Sequence, residues 1–191
     1  MVINLEKINQ MIRTCIFIVT KIAVALIFLF FLINATIPKN KNNNFKQNNQ
    51  QYSFIAGYAK VIDGDSIIIN NQNIRLFGID APEYQQKCFD KNIIEYQCGL
   101  YSKKFLKKLI SNNKVTCSYH KKDIYDRILG ECQVSGFNIN KKMIAAGWAI
   151  LYNFSQSSKE MQDLEISSKR ESKGLWQGSF LEPKKYRKKF F

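Results

Sequence analysis

The order of elements along this chain predicts an α+β protein, a five-stranded OB-type Greek-key β-barrel with three helices. Three observations carry that reading. Two pairs of β-rich runs are each joined by a turn, a further strand-like run precedes the first pair, and helical stretches lie between and after the pairs. The sequence therefore reads as three strands, a helix, two strands and two helices.

Taken in order, Phe54 to Val61 forms the first strand. Ile67-Ile68-Ile69 and the run from Ile74 to Ile79 are β-branched or apolar, with the turn dipeptide Asn70-Asn71 between them, so they form a hairpin. A long polar loop follows from Tyr84 to Gln97. From Gly99 to Ile110, Leu100, Phe105, Leu106, Leu109 and Ile110 recur at helical spacing, and Lys103, Lys104, Lys107 and Lys108 make a basic outer face. Those lysines read as a solvated face before they read as phosphate ligands. Lys114 to Tyr119 and Ile128 to Val134 flank His120 to Arg127 as the second hairpin. Ile139 to Ala146 is a short helix ended by Gly147. Ser157 with Glu160 makes a capping box for the last helix, which turns Met161 and Leu164 inward and is ended by Gly174. Trp148 and Trp176 read as packing residues.

The chemistry concentrates in Asp63-Gly64-Asp65-Ser66 and in Arg75-Leu76-Phe77-Gly78-Ile79-Asp80-Ala81-Pro82-Glu83. Asp-Gly alone is a common turn dipeptide, and Asp-Ala-Pro-Glu can cap a strand. Together they set acids at the ends of neighbouring strands, with a forked, always-charged arginine beside them. That grouping suits a hard cation and a phosphate. Asp123-Ile124-Tyr125-Asp126-Arg127 adds a second arginine in the second hairpin. His120 is the only histidine and reads as a surface hairpin residue.

These segments resemble the signature of the staphylococcal nuclease family, in which D-G-D-[ST] is followed by R-L-x-G-I-D-A-P-E and then by D-x-Y-G-R. Ala145-Ala146-Gly147-Trp148-Ala149, Lys173-Gly174-Leu175-Trp176 and Gly178-Ser179-Phe180 resemble the C-terminal part of its secreted bacterial members. The likeness covers about residues 54 to 184. It implies the same barrel and a calcium-dependent nuclease that cleaves DNA and RNA with little sequence preference, leaving 3′-phosphate ends. By this resemblance Asp65 and Asp80 hold Ca2+ with the Ala81 carbonyl, and Asp63 supports the metal from behind. Glu83 orients or deprotonates water, while Arg75 and Arg127 stabilise the developing charge. Asp126 departs from the family's glycine, placing an acid beside Arg127. The alternative is a non-catalytic nucleic-acid-binding module of OB type, tethered to a membrane. The presence of both aspartates, the glutamate and both arginines favours catalysis. A third reading, a tethered protein-interaction domain with merely solvating acids, predicts neither calcium binding nor nucleic-acid affinity.

The 191 residues carry a formal net charge of +14. Residues 1–51 hold six basic side chains and one acid, which leaves 23 basic against 14 acidic side chains, a surplus of nine, for the remainder. A positive field of this kind steers polyanions to a site. Residues 1–37, with an apolar run from Ile22 to Ile33 behind Lys7 and Arg13, read as a signal peptide or an N-terminal membrane anchor. Residues 38–51 read as a low-complexity Asn/Gln/Lys linker, 52–184 as the nuclease-like domain and 185–191 as a basic tail. Export, to the periplasm or outside the cell or held on a membrane, and a monomer are expected.

Cys88, Cys98, Cys117 and Cys132 give an even count in the domain, and Cys15 lies in the apolar segment. No C-x-x-C pair supports zinc. Cys117 and Cys132 can face each other across the second hairpin, and Cys88 with Cys98 would close the loop before the first helix. The other reading of all four is as buried small hydrophobes.

Overall fold

The structure is a computed structural model describing Arg13, Ile16, residues 20–30 and residues 51–191, in two units, residues 1–48 and 49–191. In the first unit, residues 20–30 are helical and exposed. No helix among the described residues is long and apolar enough to cross a membrane. The remainder of the expected targeting segment, including Cys15, and the expected linker up to residue 50 lie outside the described residues.

The second unit is built on β1 (Ser53–Tyr58), β2 (Lys60–Val61), β3 (Ser66–Ile69), β4 (Gln72–Leu76), β8 (Lys114–Tyr119) and β9 (Ile128–Val134). The hydrogen-bonded order is β1, β8, β9, β4, β3, β2, with the short β10 (Phe137–Asn138) paired to the end of β9. Only Ala59 separates β1 from β2, so one bent strand pairs with β8 at one end of the sheet and with β3 at the other, closing it. That strand and the four others make the five-stranded barrel. Parallel pairing of β4 with β9 sets the Greek-key order, since every other pair in the barrel is antiparallel.

Alternation fills the interior. Ile67 and Ile69, Ile74 and Leu76, Val115 and Cys117, and Ile128, Cys132 and Val134 are all buried. Helix α1 (Cys98–Ile110) covers one end with Ser102, Leu106 and Ile110, and α2 (Ile139–Ala145) adds Ile139, Met143 and Ile144. Gly147, at φ 69°, ends α2 as its position after Ala146 predicts. Helix α3 (Lys159–Arg170) follows, and Met161 and Leu164 pack against the core.

Two expectations are corrected here. The cap of α3 is Ser158, whose side chain accepts from the Met161 N–H, and not Ser157. Ser157 instead donates to the Asn153 carbonyl, closing a 3-10 turn at Phe154–Gln156, and Glu160 pairs with Lys141. The barrel domain also carries a fourth helix, α4 (Pro183–Phe190), across the segment read as a basic tail. Pro183 in the first turn has no N–H to lose and a preset φ, which is why the helix starts there.

The polar loop holds a small hairpin, β6 (Cys88–Phe89) with β7 (Glu95–Tyr96). Both cysteine pairs are disulfide-bonded, Cys88 with Cys98 and Cys117 with Cys132. The second joins residues directly opposite each other in β8 and β9. Two such bonds suit an oxidising, non-cytoplasmic compartment.

Candidate functional site

Hairpin arithmetic brings the first acid to the first arginine. Asn70 and Asn71 take positive φ (48° and 61°), as a two-residue turn with the right twist requires, and Asn tolerates this at little cost. The turn fixes the register, so Ile69 faces Gln72 and Ser66 faces Arg75. Asp65 then lies at the mouth of the hairpin, its carbonyl accepting from the Leu76 N–H at 2.8 Å. Gly64 is required for a different reason. A Cβ there would stand 1.9 Å from Ser102 Oγ on α1, so only glycine lets the acid turn pack under that helix.

Beyond β4, Ile79–Asp80 (β5) pairs with Ile150–Leu151 (β11), fixing Asp80 opposite Ile150. Glu165 of α3, buried, accepts from the Leu151 N–H at 2.8 Å and supports this pair from behind. Arg75 joins the two aspartates. Its Nη2 is 3.0 Å from Asp65 Oδ2 and 2.5 Å from Asp80 Oδ1. Asp65 also accepts from the Ala81 N–H at 3.0 Å and from Ser66 Oγ at 3.0 Å, while Asp63 accepts from the Asp65 N–H at 3.0 Å. Asp63, Asp65, Arg75, Asp80 and Ala81 thus form one connected group.

Glu83 joins that group through a residue that the sequence reading does not include. Arg187 of α4 donates from Nη1 to Glu83 Oε1 at 2.9 Å, and its Nη2 lies 3.0 and 3.1 Å from the two oxygens of Asp80. Arg127 stands apart from the acids. Its Nε and Nη2 bind Asp123 at 2.8 and 2.7 Å, and it lines the same open cleft as Arg75, Glu83 and Arg187. The cleft measures about 1510 Å³, and Lys121, Lys122, Lys184 and Lys188 are among its walls. Asp126 adopts φ 62°, the conformation a glycine would take, and turns its exposed carboxylate to Lys122 Nζ at 2.8 Å, not to Arg127. His120 packs edge-on against Tyr52.

The electrostatics follow from crowding. Burial, and then Asp65 beside it, push the Asp80 carboxyl above its ordinary range despite Arg187 and Arg75. Burial and Asp65 push Asp63 up to about 7. Burial opposes the charge on Arg75, yet Asp65 and Asp80 outweigh it and hold the guanidinium above its usual range. Burial would raise Asp123 too, but hydrogen bonds from Arg127 and from the Arg127 and Tyr125 N–H groups bring it below the usual range.

Among the described residues, no three His, Cys, Asp or Glu side chains are grouped so that they could hold a metal ion. The donor chemistry nonetheless fits a hard divalent cation. Three carboxylates, Asp65, Asp80 and Glu83, pair with two guanidinium groups, Asp63 adjoins them through the Asp65 N–H, and the charge of Asp65 still repels Asp63 and Asp80. All the donors are oxygens, and such cations complete their shell with waters and backbone carbonyls.

Comparison with known proteins places the domain in the nuclease class of hydrolases. The family described as staphylococcal nuclease homologue matches residues 73–178, a stretch that contains Arg75, Asp80, Glu83 and Arg127 and ends before α4. The thermonuclease of Staphylococcus hyicus is 30% identical over 132 residues, 66% of this chain and 73% of that protein. An uncharacterized endonuclease of Escherichia coli is 33% identical over 123 residues, 62% of this chain and 74% of its own length. The succinoglycan biosynthesis protein ExoI of Rhizobium meliloti (strain 1021) is 37% identical over 98 residues, 50% of this chain, which spans only 51% of that protein. The chain belongs to the staphylococcal nuclease homologue family.

Proposed function

We propose that the chain is an exported, calcium-dependent nuclease that hydrolyses DNA and RNA with little sequence specificity and leaves 3′-phosphate ends. The observation that carries this is the buried Asp65–Arg75–Asp80 cluster beneath an open, lysine-walled cleft. Asp65 and Asp80, with the Ala81 carbonyl, would hold Ca2+, and Asp63 would steady Asp65 from behind. Bound there, the cation supplies charge neutralisation at a phosphate oxygen.

The chain's own groups do the rest. Glu83 accepts a proton from the attacking water as that oxygen bonds to phosphorus. Arg75, anchored by two aspartates, meets the negative charge that grows on the phosphoryl oxygens. Asp123 takes Nε and Nη2 of Arg127, so Nη1 remains for a phosphate oxygen. The bond from phosphorus to the 5′ oxygen breaks, that oxygen leaves with the bonding pair and takes a proton from solvent water, and the phosphate stays on the 3′ side. Affinity for the strand comes from cleft lysines that contact phosphates and carry no sequence information.

The purified full chain should degrade DNA and RNA with calcium and stop on addition of chelator. Glu83→Gln, Arg75→Ala and Arg127→Ala should each lower turnover by at least about a hundredfold, the usual cost of losing a positioned base or a charge-stabilising donor. Full activity in both arginine variants would reject the assignment. Tight, salt-sensitive binding without cleavage would favour the non-catalytic module.

A further inference from the structure

Arg187 bridges the acid assigned to the metal and the acid assigned to the water, and it comes from a helix outside the matched stretch. We propose that Arg187 is a positioning residue of the active site, its guanidinium fork setting Glu83 against Asp80, which makes α4 a working wall of the cleft. The proposal rests on the nuclease reading above.

The geometry supports this in three ways. First, one planar group contacts both carboxylates, Nη1 on Glu83 and Nη2 on both oxygens of Asp80. A guanidinium is rigid, so holding both acids fixes the spacing between them, which a lysine's single ammonium cannot do. Second, an unheld glutamate samples several rotamers. The Glu83 backbone is tethered through its N–H to Gln86 Oε1, but its carboxylate is held by Arg187.

Third, the approach of α4 is stitched to the loop that carries Glu83. Phe89 and Ser179 exchange backbone hydrogen bonds at 2.9 Å, and buried Gln86 donates to the Leu181 carbonyl at 2.7 Å. Pro183 then starts the helix, and Arg187 follows about one turn later. The Cys88–Cys98 disulfide and Gly99 secure the other side. A Cβ at Gly99 would lie 1.7 Å from the Glu83 carbonyl oxygen, so α1 packs directly on this loop.

The charge of Arg187 gives a signature that separates positioning from simple support of the fold. A guanidinium on Asp80 competes with any cation there, so its removal leaves the cation site no weaker. The test compares the full chain with Arg187→Ala, Arg187→Lys, Glu83→Gln and Glu83→Gln/Arg187→Ala. DNA kinetics at saturating calcium, calcium binding by calorimetry and thermal melting are measured for each.

Arg187→Ala should lower kcat about tenfold or more with KM within about threefold, and bind calcium as tightly as the parent or tighter. Arg187→Lys, which keeps the charge without the fork, should recover less than about threefold of that loss. In the Glu83→Gln background, Arg187→Ala should change kcat less than about twofold, because the two residues act as one unit. Multiplicative losses in the double variant, or a raised KM at unchanged kcat, would overturn the proposal. So would weakened calcium binding with a fallen melting temperature, which would make Arg187 a structural residue. An inactive parent chain defeats the nuclease reading and this proposal together, whereas an active parent with an equally active Arg187→Ala defeats this proposal alone.

Discussion

Asp126 shows what a single residue can change without moving the fold. At φ 62° it occupies the left-handed region, where aspartate is tolerated better than most side chains. Its carboxylate holds Lys122, which lines the cleft, while Arg127 is engaged by Asp123. The departure from the family's glycine therefore acts on Lys122 and not on the arginine beside it. Asp126→Gly should leave the fold intact and free Lys122 for phosphate, lowering KM about 1.5- to 5-fold, the range expected for an exposed ion pair. The gain should shrink as added salt screens the cleft. Comparing KM at low and moderate salt tests this, and a severe loss of activity at unchanged melting temperature would show that Asp126 takes part in the chemistry. Asp63, Asp65, Arg75, Asp80 and Glu83 are legible in the sequence because one hairpin and its exit place them within a short window. Arg187 is illegible because it lies 104 residues from Glu83, and no local pattern pairs the two.

Elements differ in how openly the sequence writes them. The Asn70-Asn71 turn and the alternation in β9 are local signals and read directly. The two-residue pair β5–β11, which fixes Asp80, is too short to leave a period, and the charges of α4 mask its start at Pro183. The cysteines are legible by position, since a hairpin that sets Cys117 opposite Cys132 brings their side chains together. The two bonds do different work. Cys117–Cys132 closes a 15-residue separation between core strands, so Cys117→Ser/Cys132→Ser should lose about 3 kcal/mol of stability by constraining the unfolded chain less. Cys88–Cys98 staples the loop that holds Gln86 and Glu83 beside α4. Cys88→Ser/Cys98→Ser should therefore lower kcat by a larger factor than Cys117→Ser/Cys132→Ser. Denaturant unfolding and kinetics on the two double variants decide the matter, and unchanged stability in the core-strand pair would refute the first claim.

At the scale of the whole molecule, charge is divided between two tasks. The chain outside residues 1–51 has nine more basic than acidic side chains, yet the acids of the site outnumber the arginines that bind them. The positive surplus therefore lies elsewhere, and Lys121, Lys122, Lys184 and Lys188 place part of it on the walls of the cleft. On the proposed nuclease reading, a strand drawn in by those walls would meet the Asp65, Asp80 and Glu83 carboxylates, where a bound cation would let a phosphate settle. Binding and chemistry should then separate under two treatments. Chelator should abolish cleavage while leaving much of the strand affinity, because the lysines remain. Salt should weaken affinity steeply. Four phosphate contacts imply a slope of about −2.8 to −3.6 in log affinity against log salt, or about 50- to 150-fold between 50 and 200 mM. Fluorescence anisotropy with a labelled oligonucleotide in chelator measures that slope directly. Lys184→Ala/Lys188→Ala should reduce its magnitude by about 1.4 to 1.8, since each lost contact removes about 0.7 to 0.9. An unchanged slope in that variant would mean that α4 does not face the strand, and the substrate path would have to run along the Lys121 and Lys122 side of the cleft.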